Sequence, residues 1–317
     1  MSKLRVESDR TSPLQVQTLS DVRAAIQAAG VAPRKRWGQN FLIDGNLMRL
    51  LHRSAELTPD DRVLEVGPGT GGLTDLLLAD AGHVIAVEVD PALCRMLTAR
   101  YAGRPNFTLV QADALAAKHE VASAVLTAVG QHPPGEGGSY KLVANLPYNI
   151  ATPLLVNLVM CCWQGAVGNM PGRRVERYCF TVQKEVADRI EARPSTPDYG
   201  QLSVVLQATC AIERTAAVPA SAFWPRPQVA SAMLRMDRRP DAFDDPTVLA
   251  SFIAFVRAGF AYRRKTLRYV LTAALGAERS AALADAVDLQ RRPDAVAVDE
   301  WIGLFGRTHS PPPVSPL

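Results

Sequence analysis

The chain has 317 residues and a mass of 34.3 kDa, which at roughly 100–200 residues per domain makes one large unit or two unequal ones. With 48% hydrophobic and 21% charged residues the composition is globular, which excludes general disorder, and no apolar run reaches the ~18 residues of a membrane span. The net charge of +4 is unevenly spread: an acidic stretch over 61–170 lies between basic ones, with clusters at Arg34-Lys35-Arg36, Arg173-Arg174 and Arg263-Arg264-Lys265. A polyanion such as nucleic acid would be drawn to them, although each cluster alone also reads as a solvated face. The opening MSKLRVESDRTSPLQVQ mixes acids with bases and has no apolar core, so neither a secretory signal nor a transit peptide is expected. Cys94, Cys161, Cys162, Cys179 and Cys210 show no CxxC spacing. They argue against a disulfide framework or a metal site, and for a reducing, cytoplasmic setting.

In chain order, a short helix is predicted over 20–29, with Ser20 as N-cap, Val22 and Ile26 four apart and Gly30 as stop. A second helix over 44–57 carries Leu47, Leu50 and Leu51 on one face. Alternation follows. Val63–Val66 reads as a strand, Leu73–Leu78 opens a helix, His83–Val87 is a strand, and Pro91–Tyr101 is a helix with proline early. Phe107–Gln111 is a third strand, 120–129 a helix, Leu142–Ala144 a fourth strand and 175–182 a fifth. Strands alternating with helices imply parallel βαβ units, hence a doubly wound α/β sheet. QHPPGEGGS (131–139) and GAVGNMPG (165–172) interrupt the rhythm as Gly/Pro-rich surface loops. RRPDAFDDP after residue 237 reads as a linker, dividing a larger α/β unit (1–240) from a small helical one (241–317) that ends in a frayed tail.

The run Glu65-Val66-Gly67-Pro68-Gly69-Thr70-Gly71-Gly72 joins the first strand to a helix. Glycines there let the backbone turn sharply and approach a ligand closely. Glu88, at the end of the second strand, is placed to accept hydrogen bonds from ribose hydroxyls, as in proteins that grip an adenosine. The spacing is G-x-G-x-G, not the G-x-G-x-x-G that sets a helix N-terminus against a pyrophosphate. Asp113, in QADA after the third strand, is placed to accept from an adenine amine, though an acid there is also an ordinary cap. Carboxylates on successive strand ends suit an adenosine ligand without phosphates, such as S-adenosylmethionine.

Asn145-Leu146-Pro147-Tyr148-Asn149 follows the fourth strand. The Asn145 side chain and the Leu146 carbonyl could accept both hydrogens of an adenine N6 amine. That would turn its delocalised lone pair toward a donor methyl, while Pro147 stiffens the turn and Tyr148 stacks on the base. In-line geometry and a cationic leaving group make a strong base unnecessary.

Taken in order, GQNFLID (38–44), EVGPGTG, VEVD (87–90), QADA (111–114) and NLPYN resemble the rRNA adenine N6-dimethyltransferase family. The bacterial small-subunit (16S) branch gives the better match. Gln183-Lys184-Glu185-Val186, Tyr199–Ser203, Val218–Phe223 and Arg263–Arg268 extend the resemblance over about residues 20–305. It implies a class I methyltransferase fold with a small helical C-terminal domain, and S-adenosylmethionine as cofactor. The implied cofactor contacts are Gln39, Asn40, Leu42, Gly67, Gly69, Glu88, Asp113 and Asn145. Asn145, Leu146, Pro147 and Tyr148 form the implied catalytic turn, with Tyr148 and Phe223 sandwiching a flipped adenine. The implied substrate is two adjacent adenosines in a hairpin loop near the 3′ end of small-subunit rRNA, on an immature particle, where unpaired bases can be splayed and stacked. Arg34, Lys35, Arg36, Arg173, Arg174, Arg263, Arg264, Lys265 and Arg268 become phosphate contacts that position without reading sequence. No metal and no membrane are implied, and a monomer suffices.

Trp37 departs from the small or aliphatic residue the family carries before GQNF, and both Gly/Pro-rich loops are longer than its pattern. Two other readings compete. One is a large-subunit rRNA adenine methylase conferring antibiotic resistance, which shares the glycine loop. The other is a ribosome-assembly factor that binds RNA on this fold without catalysis, against which the intact Glu88, Asp113, Asn145 and Tyr148 count. A nicotinamide dehydrogenase is weaker still, having no hydride-transfer partner residues.

Overall fold

The computed structural model describes residues 16–30, 38–118, 120–161, 174–240, 243 and 245–309. Its first helix, α1 (Leu19–Ala28), begins one residue before the expected Ser20 cap. Thr18 takes that role because Asp21 stands three residues on. The Thr18 side chain accepts from the Asp21 N–H, and the Asp21 carboxylate accepts from the Thr18 N–H. Ser20 has no such acid partner. A two-residue strand, β1 (Phe41–Leu42), leads to α2 (Gly45–Ser54), capped by Asp44 on the amides of Asn46 and Leu47. This helix stops short of the predicted residue 57 because Glu56 is left-handed (φ 48°) and ion-paired to Arg177 and Arg235.

The parallel half follows: β2 (Arg62–Val66), α3 (Gly72–Asp80), β3 (His83–Glu88), α4 (Pro91–Arg100), β4 (Phe107–Gln111), then β7 (Tyr140–Asn145), α6 (Ala151–Cys161) and β8 (Val175–Gln183). Between them a small hairpin, β5 (Leu115–Ala117) with β6 (Glu120–Val121), pushes α5 to Ser123–Gln131 from the expected 120–129. Buried Val121 pairs with Leu115 there. Beyond β8 come α7 (Lys184–Glu191), α8 (Gln201–Thr209), β9 (Cys210–Val218), β10 (Phe223–Trp224) and β11 (Ser231–Arg238). The C-terminal helices are α9 (Pro246–Gly259), α10 (Leu267–Leu275), α11 (Ala277–Ala281) and α12 (Val298–His309).

Seven strands form one sheet in the order β4-β3-β2-β7-β8-β11-β9; the pairs through β8 are parallel, and β11 runs antiparallel to both its neighbours. Strand side chains alternate between two cores, as a period of two requires. Val63, Val84, Val143, Cys179 and Met233 face α2 and α3. Leu64, Ile85, Leu142, Phe180 and Leu234 face the other side, in a cluster that continues into Phe252, Trp301 and Phe305 of the C-terminal helices. The order of strands reverses at β2, with β3 on one side and β7 on the other, so a crevice opens beyond their carboxyl ends. The 131–139 loop lies at the opposite end, tied down by Gly135 N–H to the Asp60 carbonyl (2.8 Å) and Ser139 N–H to the Asp61 carboxylate (2.9 Å). The 165–172 loop is outside the described residues. No helix among the described residues is long and apolar enough to cross a membrane.

Candidate active site

The crevice is a cleft of about 990 Å³, open solvent at its mouth included. Gln39, Asn40, Leu42, Gly67, Gly69, Glu88, Asp113 and Asn145 all line it, as does Pro147. Gly69 has φ +58°, and a Cβ there would stand 2.8 Å from the Phe41 ring. Gly38 has φ +63°, and its Cβ would meet Asn149 Oδ1 at 2.9 Å. These glycines let the 38–42 segment lie directly on the glycine loop and the NLPYN turn. Gly69→Ala should therefore cost roughly 1–2 kcal/mol from the left-handed backbone alone. A further loss is expected where the ring is displaced from the cleft wall. Thermal melts with and without cofactor will read both, and an unchanged pair of melts would refute the close-packing account.

Two acids sit in the cleft out of contact with bulk water. Glu65 is 1% exposed and accepts a hydrogen bond from the Thr74 hydroxyl (2.7 Å); burial pushes its pKa up to about 8. Glu88 is 5% exposed and accepts from the amides of Val89 (3.0 Å) and Asp90 (2.9 Å); burial outweighs these bonds and raises it to about 7. Burial holds the proton on both carboxyls; a neighbouring positive charge would favour their ionised form, and a phosphate would oppose it. Asp113 Oδ1 accepts from the Leu115 N–H (3.0 Å), so one oxygen serves the local turn that its position also suggested. Among the described residues no cluster of His, Cys, Asp or Glu could hold a metal ion.

The 38–42 segment closes the cleft from above. β1 pairs antiparallel with β10, placing Phe41 opposite Trp224 and Leu42 opposite Phe223, and Ile43 N–H donates to the Ala222 carbonyl (2.8 Å). Below it, Asn145 Nδ2 donates to the Asn40 carbonyl (2.8 Å), while Asn145 Oδ1 accepts from the Thr181 hydroxyl. A backbone carbonyl can only accept, so Nδ2 must face Asn40, and Oδ1 then faces β8. Leu146 is buried (1% exposed), and the turn closes through the Ile150 N–H to the Pro147 carbonyl (3.2 Å). Tyr148 donates to or accepts from the buried Ser231 hydroxyl at 2.6 Å.

The two rings expected to sandwich a base stand next to each other. The Tyr148 and Phe223 rings meet edge to face, with centroids 6.4 Å apart and planes at 75°. A base between two rings needs parallel faces about 7 Å apart, twice a van der Waals contact. Phe223 is held at 2% exposure by the β1–β10 ladder, whereas Tyr148 is only partly buried.

Three residues that line or hold this site, Gln17, Thr181 and Ser231, carry no signal in the sequence motifs. Gln17 crosses from before α1 and exchanges two hydrogen bonds with Thr70 (2.6 and 3.1 Å). Thr181 and Ser231 arrive from β8 and β11. Glu65 was visible only as the start of the glycine run, since nothing in the sequence announces its burial.

Of the basic residues, Arg264, Lys265 and Arg268 are exposed between and on α9 and α10. Arg263 is engaged in the fold. Its guanidinium donates to the carbonyls of Pro197 (2.5 Å) and Tyr199 (3.0 Å) and lies 3.6 Å from Asp294. Arg174 faces Glu176 at 3.2 Å. Arg34, Lys35, Arg36 and Arg173, like Trp37, lie outside the described residues.

A doubly wound sheet with one reversed strand, a glycine loop after its first strand and acids at the next strand ends defines a class I methyltransferase fold. The chain belongs to the ribosomal RNA adenine dimethylase family, whose model matches residues 31–309. It is 39% identical over 293 residues to the ribosomal RNA small subunit methyltransferase A of Moorella thermoacetica, covering 91% of this chain and 97% of that protein. A dimethyladenosine transferase from Plasmodium falciparum shares the fold with a TM-score of 0.65 at 21% identity, over 83% of this chain and 95% of that one. The 23S rRNA methyltransferase ErmE superposes with a TM-score of 0.60 at 28% identity, over 86% and 100% of the two chains.

Proposed function

We propose that this chain transfers methyl groups from S-adenosylmethionine to adenine N6, giving N6,N6-dimethyladenosine at two adjacent positions in a 3′-terminal hairpin loop of small-subunit rRNA. The reaction takes place in the cytoplasm on an immature small subunit, with the protein acting as a monomer. The observation that carries the reading is the orientation of Asn145, a cleft residue whose amide polarity is set by Asn40 on one side and Thr181 on the other. A carbonyl oxygen has two lone pairs, so Oδ1 can take the Thr181 hydroxyl and one hydrogen of the target amine together. The Leu146 carbonyl takes the other.

The cleft suits the cofactor. Glu88, at the end of β3, would accept the ribose hydroxyls, and Asp113 the adenine amine. When bound, S-adenosylmethionine supplies a methyl on a sulfonium that leaves as a neutral thioether. The residues of the chain hold the amine in line, shut out water through the 38–42 segment, and stack the base through Tyr148. The small-subunit branch is favoured because the Moorella relative, matched over nearly its whole length, is named for that subunit. The likeness to ErmE supports a large-subunit target as the second reading.

Labelled-methyl transfer to small and large subunits isolated unmethylated, followed by nucleoside analysis, decides between them. Dimethyladenosine on small subunits alone is expected. Label on large subunits would establish the second reading, and binding without label would make the chain an assembly factor. Thr181 is a positioning residue for Asn145. Thr181→Val keeps the shape and removes one charge-neutral hydrogen bond, so kcat should fall about tenfold with cofactor affinity unchanged, and Thr181→Ser should restore it. A valine variant as fast as the parent would remove Thr181 from the site.

A further inference from the structure

Four large apolar side chains among the described residues are markedly exposed, and two of them stand together on the helical unit: Tyr262 (52%) and Tyr269 (50%). Their rings meet edge to face with centroids 5.7 Å apart. Lys265 Nζ lies 5.5 Å from the Tyr269 ring centroid, and Arg264, Lys265 and Arg268 are all exposed around the pair. The support beneath is firm. Leu267 and Val270 are buried, Leu267 N–H donates to the Arg291 carbonyl (2.7 Å), Arg268 N–H to the Leu289 carbonyl (2.9 Å), and Lys265 N–H to the Tyr262 carbonyl (2.8 Å).

We infer that Tyr262 and Tyr269, flanked by Arg264, Lys265 and Arg268, form a stacking platform for unpaired nucleotides of RNA. The inference rests on the RNA-modifying reading above and adds which chemical form of RNA this surface takes. Cations alone would serve a duplex backbone as well as a single strand. Exposed aromatic faces add something only where bases are splayed out, since bases inside a helix already stack on each other. An apolar protein partner would have to desolvate three cations to reach the two rings, whereas a polyanion with planar faces satisfies both at once.

The test uses the full chain and two probes, a short oligouridine and a duplex RNA of the same length. Oligouridine contains no adenine, so the methylation site does not compete for it. Tyr262→Ala/Tyr269→Ala should weaken oligouridine binding roughly tenfold or more while duplex binding stays within about twofold. Tyr262→Phe/Tyr269→Phe should bind as the parent does. Arg264→Ala/Arg268→Ala should weaken both probes and flatten the salt dependence. Equal losses on both probes from the alanine pair, or no loss, would overturn the platform, as would a parent protein that does not bind oligouridine. Both rings are surface residues, and matching thermal melts will establish that the variants fold. Methyl transfer to ribosomal subunits is scored separately. If the parent methylates neither subunit but its tyrosines still separate single strand from duplex, the proposed reaction fails and the platform stands.

Discussion

Replacing Asn145 with alanine should lower kcat for methyl transfer by about 10²- to 10³-fold, the usual cost of deleting one preorganised polar contact to the reacting group. The variant removes the acceptor that Thr181 and Asn40 aim into the cleft. It also frees the Asn40 carbonyl, so the 38–42 segment loses one tether, and cofactor affinity should drop by no more than about tenfold. The measurement is single-turnover transfer to saturating small subunits beside equilibrium binding of the cofactor. A variant that binds poorly but turns over normally once saturated would reverse the assignment and make Asn145 a cofactor-holding residue. Asn145→Asp separates shape from charge: it keeps an acceptor but cannot donate to Asn40.

Glu88→Gln should weaken cofactor binding roughly 10- to 100-fold while making the empty protein more stable at alkaline pH. The first effect follows from losing a charged acceptor for ribose hydroxyls. The second follows from the carboxyl's raised pKa, about 7 against an ordinary 4.5. A carboxyl that binds its proton more tightly when folded contributes stability fully below about pH 4.5, and that contribution is lost as pH rises through about 7. Glutamine cannot ionise, so its melting temperature should not decline over that window for this reason. Glu65, raised further, should extend the parent's decline toward pH 8. Cofactor binding by the parent should strengthen over the same interval as Glu88 ionises. Melting curves at pH 5 and pH 8, each with and without cofactor, contain the whole prediction. A parent protein equally stable at both values would show that Glu88 is already ionised in the empty cleft.

The parallel half of the fold is legible because each unit announces itself locally. Val63–Val66 and His83–Val87 are apolar runs, and Asp44, Asp90 with Pro91, and the glycine loop mark where helices begin. Of the expected cofactor contacts, Gly67, Gly69, Glu88, Asp113 and Asn145 are legible for the same reason, since each sits at or just past the end of a strand, whereas Gln39, Asn40 and Leu42 lie before or within β1 and come from the resemblance alone. The antiparallel half is not. β9 reads CAIERTAAV, with charged and small residues along an edge that is only partly covered, and it gives no alternation to detect. β1 and β10 are two residues each, below any periodicity, and exist only because they pair with each other. Thr181 is indistinguishable in sequence from any other mid-strand threonine. Its part in the site comes from register alone, which sets it beside Asn145 across the β7–β8 ladder. Arg263 shows a different limit: its place in a basic run gives no sign that the fold also uses its guanidinium for the Pro197 and Tyr199 carbonyls.

The β1–β10 ladder has a consequence for the order of events in a cycle. Leu42 lines the cleft and Phe223 meets the Tyr148 ring, and the two are register partners in one hydrogen-bonded pair of strands. On the proposed reaction, opening that flap to exchange spent donor for fresh would disturb the wall beside Tyr148. Occupancy of either pocket is then linked to the other, and linkage is reciprocal: whatever RNA gains from bound donor, the donor gains from bound RNA. Since each adenosine receives its methyls from successive donor molecules, the ladder makes donor exchange and loss of the base coupled events, and a monomethylated adenosine released between rounds is the chemical trace that coupling leaves.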